Sequence, residues 1–278
     1  MPRITVKGVK VAFDESWPAQ DCQGTVVLLH SSACSKAQWR DLTTDLRMRY
    51  RVIAPDLHGY GETGDWQARR LPTLADEAEI IVAMVARADR PIHLVGHSYG
   101  GAVALRFALE RPDLLRSLTL IEPVAFHLLR HRGCSGHNLL STVRDIAETL
   151  KGDPVGGMAC FVHFWNGSGA WLRLREEIRS DLIRRASKVA LDFRATLEEP
   201  VSPTAYGQIL VSSRILRGET SPPVAHAIAA RLAAVLPEAT VEVIPGAGHM
   251  LPLTHAAAVN AVVAAHLSET DEPTPLAA

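Results

Sequence analysis

The sequence predicts an α/β protein: a mostly parallel central sheet flanked by helices, with a helical segment inserted late in the strand order. Three observations predict it. Short, continuous apolar runs such as Thr25-Val26-Val27-Leu28-Leu29 alternate with stretches of helical spacing, the pattern of strands buried on both faces of a parallel sheet. One such run, Ile92-His93-Leu94-Val95, leads into the turn Gly96-His97-Ser98-Tyr99-Gly100 and then a helix-like segment. Between 124 and 201 the rhythm lapses, and no strong strand signal occurs.

Composition narrows the class. A chain of 278 residues, 47% apolar and 21% charged, fits one large α/β domain with an inserted part. Lys+Arg 29 against Asp+Glu 30 leaves a formal charge of -1, with no footprint for nucleic acid or an acidic membrane. Cys22, Cys34, Cys134 and Cys160 are scattered without a C-x-x-C pair, so reduced thiols are expected rather than a disulfide framework or a zinc site. The N-terminus alternates like a strand, without the apolar core of a secretory signal, and no run is long enough to span a bilayer. A cytoplasmic protein acting on a small molecule is expected.

In chain order, 4–13 alternates apolar and polar residues around Gly8 and predicts a hairpin of half-buried strands. The strand 25–29 ends at the small polar loop His30-Ser31-Ser32-Ala33-Cys34-Ser35, and helical spacing covers 36–46. Residues 50–54 form the next buried strand, followed by a loop of tight turns carrying Gly59, Gly61 and Gly64, in which Asp56 is expected to brace the backbone. Helical spacing returns through Leu74, Ala78, Ile81, Val82 and Val85. Strands follow at 92–95 and 118–121, the second ending at Glu122-Pro123. Within 124–201, helices are expected over 137–150 and 172–191, with a Gly-rich break at 165–169. The sheet resumes at 209–216; a helix at 222–236, a strand at 241–244 and a closing helix at 252–267 complete it. The expected division is a core of 1–123 and 202–268, a helical cap of 124–201, and a flexible polar tail of 269–278.

The chemistry converges on Ser98. In G-x-S-x-G at a strand–turn–helix corner, a serine is held in strained backbone with its hydroxyl clear of the sheet. Gly96 and Gly100 fit because a Cβ there would crowd the strand and helix. A nucleophilic serine needs a base and oxyanion donors. His249, in the loop Pro245-Gly246-Ala247-Gly248-His249 after the last strand, falls at the same carboxyl edge of the sheet. No His/Asp cluster at metal spacing accompanies it, so neither metal nor cofactor is expected.

The stretches LLHSSACS, IAPDLHGYGET, LVGHSYGG, LTLIEP, LRGET and IPGAGHM resemble the α/β-hydrolase superfamily, in its order and at its usual separations along nearly the whole chain. The resemblance implies the α/β-hydrolase fold, Ser98 as nucleophile, His249 as base and the Tyr99 N–H as one oxyanion donor. Relatives usually read His-Gly-x after the first buried strand, which maps x onto Ser32 as the second donor with Ser31 in place of glycine. Most relatives carry the acid in a G-x-x-D turn, but Gly218-Glu219-Thr220-Ser221 puts Ser221 there. Glu122 occupies a position that some relatives, certain haloalkane dehalogenases among them, use for the acid, and is preferred over Glu219. The implied function is a cofactor-free serine hydrolase cleaving a small carboxylic ester through an acyl-enzyme. A C–C bond hydrolase or lyase on the same fold, and a non-catalytic ligand-binding protein, stay open. Trp165 and Trp171 are expected to pack in the cap, with one of them a candidate for facing the pocket.

Overall fold

The computed structural model describes residues 2–88, 91–130 and 136–271. Its centre is one sheet of eight strands, β1 (Arg3–Val6), β2 (Val9–Ser16), β3 (Thr25–Leu29), β4 (Arg51–Pro55), β5 (Ile92–His97), β6 (Leu115–Ile121), β7 (Ser213–Gly218) and β8 (Ala239–Ile244), in the order β1-β2-β4-β3-β5-β6-β7-β8. The hairpin β1–β2 pairs antiparallel, and β2 joins β4 antiparallel; from β4 to β8 every pairing is parallel. The runs β3, β4 and β5 are buried at every residue, because helices cover both faces of the parallel part.

Helices α1 (Arg40–Leu46) and α11 (Ala256–Asp271) cover one face; α2 (Leu74–Val85), α3 (Tyr99–Glu110) and α9 (Pro223–Val235) lie on the other; the short α10 (Leu251–Thr254) leads into α11. α2 begins where Thr73 and Asp76 form a reciprocal capping box, which satisfies two otherwise unpaired N–H groups. Between β6 and β7 the described residues contain helices only, namely α4 (Gly136–Gly152), α5 (Pro154–Asn166), α6 (Ala170–Arg173), α7 (Glu176–Arg184) and α8 (Ala186–Glu198), flanked by 3-10 turns.

Several boundaries differ from expectation. The single helix expected over 172–191 is three. Leu174 and Arg175 adopt extended backbone, and Arg185 (φ -92°, ψ -3°) is the joint between α7 and α8. The second break lets Arg185 donate to the Ala33 carbonyl at 2.6 Å instead of lying on a solvated face. β7 starts at Ser213 rather than 209, since Pro203–Gln208 forms a 3-10 turn and buried Ile209 packs in the core ahead of the strand. Of the tail expected to be flexible from 269, the first three residues are helical. α11 continues to Asp271, whose carboxylate accepts from the Tyr50 hydroxyl (2.6 Å) and Arg116 (3.1 Å); 272–278 lie outside the described residues. Cys22, Cys34 and Cys160 are free thiols, and Cys134 lies outside the described residues. Among these residues no helix is long and apolar enough to cross a membrane, and no group of three or more His, Cys, Asp or Glu side chains could hold a metal.

Candidate active site

The carboxyl ends of the parallel strands bring the site together. Register pairs Leu29 with Gly96, His97 with Ile121, Ile121 with Leu216 and Gly218 with Ile244. The residues that follow those strands therefore emerge side by side along one edge. Ser98 lies between β5 and α3 at φ 54°, ψ -114°, a conformation that costs a non-glycine residue on the order of 1–3 kcal/mol. The surroundings impose it. The Ser98 N–H donates to the Ile121 carbonyl (2.9 Å), and the Ser98 carbonyl accepts from Ala102 and Val124. A Cβ on Gly96 would lie 2.4 Å from the Gly100 carbonyl oxygen, and one on Gly100 would lie 2.4 Å from that of Leu29. Only glycines permit so sharp a corner between strand and helix.

His249, Ser98 and Glu122 form a continuous bond chain. The Ser98 Oγ lies 3.0 Å from His249 Nε2, and His249 Nδ1 lies 2.6 Å from Glu122 Oε2. All three side chains are buried. Glu122 has φ 43°, a second strained residue at a strand end. Its remaining oxygen accepts the Gly218 N–H at 2.7 Å. Burial pushes the Glu122 carboxyl up, but His249 and then the Ser221 hydroxyl and the Gly218 N–H outweigh it and hold the group below its ordinary value. The residue at the usual aspartate position thus stands beside the glutamate. Glu219 faces the other way: exposed, it accepts the Gly246 N–H at 2.8 Å. His97 supports the base from behind, with Nε2–H donating to the His249 carbonyl at 2.9 Å. Burial, reinforced by His249, lowers its own pKa to about 3, so it stays neutral.

Opposite the imidazole lies the loop after β3. Ser31 and Ser32 share a cavity wall with Ser98. Tyr99 is the first residue of α3, so its N–H has no carbonyl in its own helix to meet. The loop carries no glycine and is held by side chains. Gln38 Oε1 accepts both the N–H (3.1 Å) and the hydroxyl (2.9 Å) of Ser31. The Ser32 hydroxyl donates to Asp192 at 2.6 Å, and the Tyr60 hydroxyl donates to the same oxygen at 2.5 Å. His30 Nδ1–H donates to the Ser31 carbonyl and Nε2 accepts from Leu57; burial lowers it to about 4. Asp56 braces the next loop by accepting from the backbone of Lys36 and Glu62 and pairing with the Lys36 ammonium.

Asp192 belongs to a buried charge cluster that sequence reasoning missed. Lys188 bonds both Asp192 and Glu77, and Glu77 also meets His58 at 3.0 Å. Burial raises Glu77, but Lys188 and His58 outweigh it and bring it to about 2. One lysine serves two carboxylates, and burial pushes the Asp192 carboxyl up as the excess negative charge. A signal existed in the sequence: Asp192 shares the apolar stripe of Val189, Ala190 and Phe193 on α8, a place for a carboxylate only when partners await it. Of the two tryptophans of which one was a candidate for facing the pocket, it is Trp165 that does: its ring stacks on His249 at 3.7 Å between centroids and 20° between planes and lines the cavity beside Ser98. Trp171 is buried in the helical insertion.

A cavity of about 460 Å³ opens onto Ser98 and His249 under α5, α6 and α7. A second, about 590 Å³, shares Trp165, Asn166, His249 and Met250 with the first and touches Ser221 but not Ser98. A third, about 10 Å³, lies between Ser98, Ser32 and Tyr99 on one side and α5 and α8 on the other.

The eight-stranded, mostly parallel sheet flanked by helices defines a class of fold, and comparison with known proteins agrees. The model described as the Alpha/beta hydrolase family matches residues 26–262, and the chain belongs to that family. It is 28% identical over 241 residues to the 2-(acetamidomethylene)succinate hydrolase of Mesorhizobium japonicum, covering 81% of each chain. Over 112 residues it is 36% identical to the 2-hydroxy-6-oxo-2,4-heptadienoate hydrolase of Pseudomonas putida, 36% of this chain and 37% of that one. The chain spans 33% of the length of uncharacterized proteins of Mycobacterium tuberculosis and Mycobacterium bovis that it matches at 32% identity. A thermophilic esterase from Thermogutta terrifontis shares the fold with a TM-score of 0.74 and 21% identity, over 98% of this chain and all (100%) of that one.

Proposed function

We propose that the chain is a cytoplasmic, cofactor-free serine hydrolase that cleaves small carboxylic esters, with 124–201 as a cap over a core of 1–123 and 202–268. The observation that carries this reading is the unbroken bond chain Ser98–His249–Glu122, at 3.0 and 2.6 Å. In it the Ser98 hydroxyl donates to His249 Nε2, while Nδ1–H donates to the ionised Glu122. The carboxylate thereby holds the imidazole in the tautomer that can accept a proton from serine.

Ser98 Oγ attacks the ester carbonyl carbon and its proton passes to His249 Nε2. The imidazolium is stabilised by Glu122, and the oxyanion by the N–H groups of Tyr99 and Ser32. Collapse of the tetrahedral species breaks the carbon–oxygen bond to the alcohol, which leaves with the proton from His249. Water, deprotonated by His249, then attacks the acyl-enzyme; the acid departs and Ser98 regains its proton. Trp165 over the imidazole keeps bulk water from its face.

Ser98→Ala tests the reading. Turnover of p-nitrophenyl acetate should fall by about 10⁴ or more while the melting temperature holds, and a fluorophosphonate should label only the parent. Parent-like turnover in the variant refutes the nucleophile. A C–C bond hydrolase would use the same bond chain, and the likeness to the heptadienoate hydrolase favours it as second reading; cleavage of diketones in preference to esters identifies that case.

A further inference from the structure

The three cavities differ in which catalytic groups they touch, and that difference orients a substrate. The inference rests on the serine-hydrolase reading above. In the tetrahedral species the carbonyl carbon carries the serine oxygen, the oxyanion, the acyl substituent and the alcohol oxygen. The alcohol oxygen must take its proton from His249 Nε2, so the alcohol extends into a space that His249 lines. The two spaces that His249 lines are the large ones, about 460 and 590 Å³. The space that Ser98, Ser32 and Tyr99 line without His249 is about 10 Å³, room for about one water-sized group. The oxyanion sits at its rim, on the Ser32 and Tyr99 N–H groups, and the part beyond, walled by Phe126, Phe161, Phe193 and Thr196, is left for the acyl substituent.

We propose that the substrate carries a short, neutral acyl group, acetyl in size, on a larger and mainly apolar alcohol. The walls of the small space resist expansion. Phe126 and Phe193 are buried and pack at 5.4 Å between ring centroids, and Phe161 meets Phe193 at 5.9 Å. Interiors packed in this way give little when a methylene is added. The floor is unsuited to an anionic acyl group such as a dicarboxylic half-ester. Asp192 and Thr196 stand there, and the nearby Lys188 is already bound to Asp192 and Glu77. The wall of the cavity of about 460 Å³ is apolar at Phe161, Val162, Leu174, Leu182 and Leu253, which suits an apolar alcohol.

Hydrolysis of p-nitrophenyl acetate, butyrate and octanoate by the intact protein tests this. The proposal expects kcat/KM to fall by about tenfold or more from acetate to butyrate, and further to octanoate. Within acetate esters, lengthening the alcohol from methyl to hexyl should raise it. Octanoate hydrolysed as well as acetate, with the activity lost in Ser98→Ala, overturns the acyl assignment and leaves the serine reading standing. Absence of turnover and of fluorophosphonate labelling at every chain length sinks the serine reading and the inference with it. Phe161 is only half-buried and walls both the small cavity and the one of about 460 Å³. Phe161→Ala should raise the butyrate-to-acetate ratio by about tenfold, and Phe193→Leu should move it in the same direction. An unchanged ratio in both folded variants overturns the proposal.

Discussion

Glu122→Gln removes one charge from the site and almost none of its shape. The parent carboxylate uses one oxygen for the Gly218 N–H (2.7 Å) and the other for His249 Nδ1 (2.6 Å). Glutamine can keep the first bond through its carbonyl oxygen, which turns its NH₂ toward Nδ1. Nδ1 must then accept, so the ring proton moves to Nε2 and points at Ser98 Oγ. A protonated Nε2 cannot take the serine proton, and the imidazolium loses its counter-charge in a buried site. Loss of an orienting carboxylate in this role costs about 10⁴ in kcat, or about 5.5 kcal/mol at 1.36 kcal/mol per decade. KM should change little, because the cavities and the N–H donors remain. Steady-state hydrolysis of p-nitrophenyl acetate, with circular dichroism melts to check folding, measures both quantities. Glu219→Gln is the control: its side chain is exposed and accepts the loop N–H of Gly246, so turnover should stay within about twofold. A large loss at Glu219 alone would falsify the assignment of Glu122; no loss at either would leave a Ser98–His249 dyad.

Three further outcomes follow from the surrounding side chains. Asp192→Asn turns an amide toward Lys188 and loosens Ser32, so kcat should fall, by no more than the ~10²–10³ of a lost oxyanion donor, with KM nearly constant. A lowered melting temperature with unchanged kcat would mean that Asp192 serves the fold alone. Trp165→Leu removes the ring stacked at 3.7 Å on His249; since an aromatic face stabilises a nearby cation by about 0.5–2 kcal/mol, the imidazolium of the transition state loses that support and kcat should fall by about two- to thirtyfold. An unchanged kcat in the folded variant would count against this contact. Buried His97, His30 and His266, with pKa values lowered to about 3, 4 and 4 chiefly by burial, each bind a proton only when unfolded between those values and about 6.5. Stability should therefore be full above about pH 6.5 and fall as pH drops below it, by up to about 1.4 kcal/mol per unit for each histidine. Urea melts across that range measure the slope, and His97→Gln should flatten it.

The order of strands and helices is legible in the sequence because local patterns carry it. Continuous apolar runs mark strands buried on both faces, and Gly96 and Gly100 announce a corner too tight for any other residue. The helices at 172–191 were harder. Their spacing continues through Leu174 and Arg185, and the breaks arise from distant partners, such as the Ala33 carbonyl that draws Arg185. β7 was expected early for a related reason: the apolarity of Ile209 serves the core, not the sheet.

For the site, the sequence by itself determined the serine, the histidine and the shortlist of two glutamates, since each stands at a strand end within a loop of recognisable composition. Only the tertiary structure decided which glutamate meets the imidazole. That choice depends on β6, β7 and β8 lying side by side, with Glu122 at φ 43° turned toward His249 and Glu219 turned to solvent. The same holds for Asp192 and Trp165. They lie 160 residues from Ser32 and 84 from His249 along the chain (249 − 165), and no local pattern couples such positions; packing of the helical insertion against the sheet edge does.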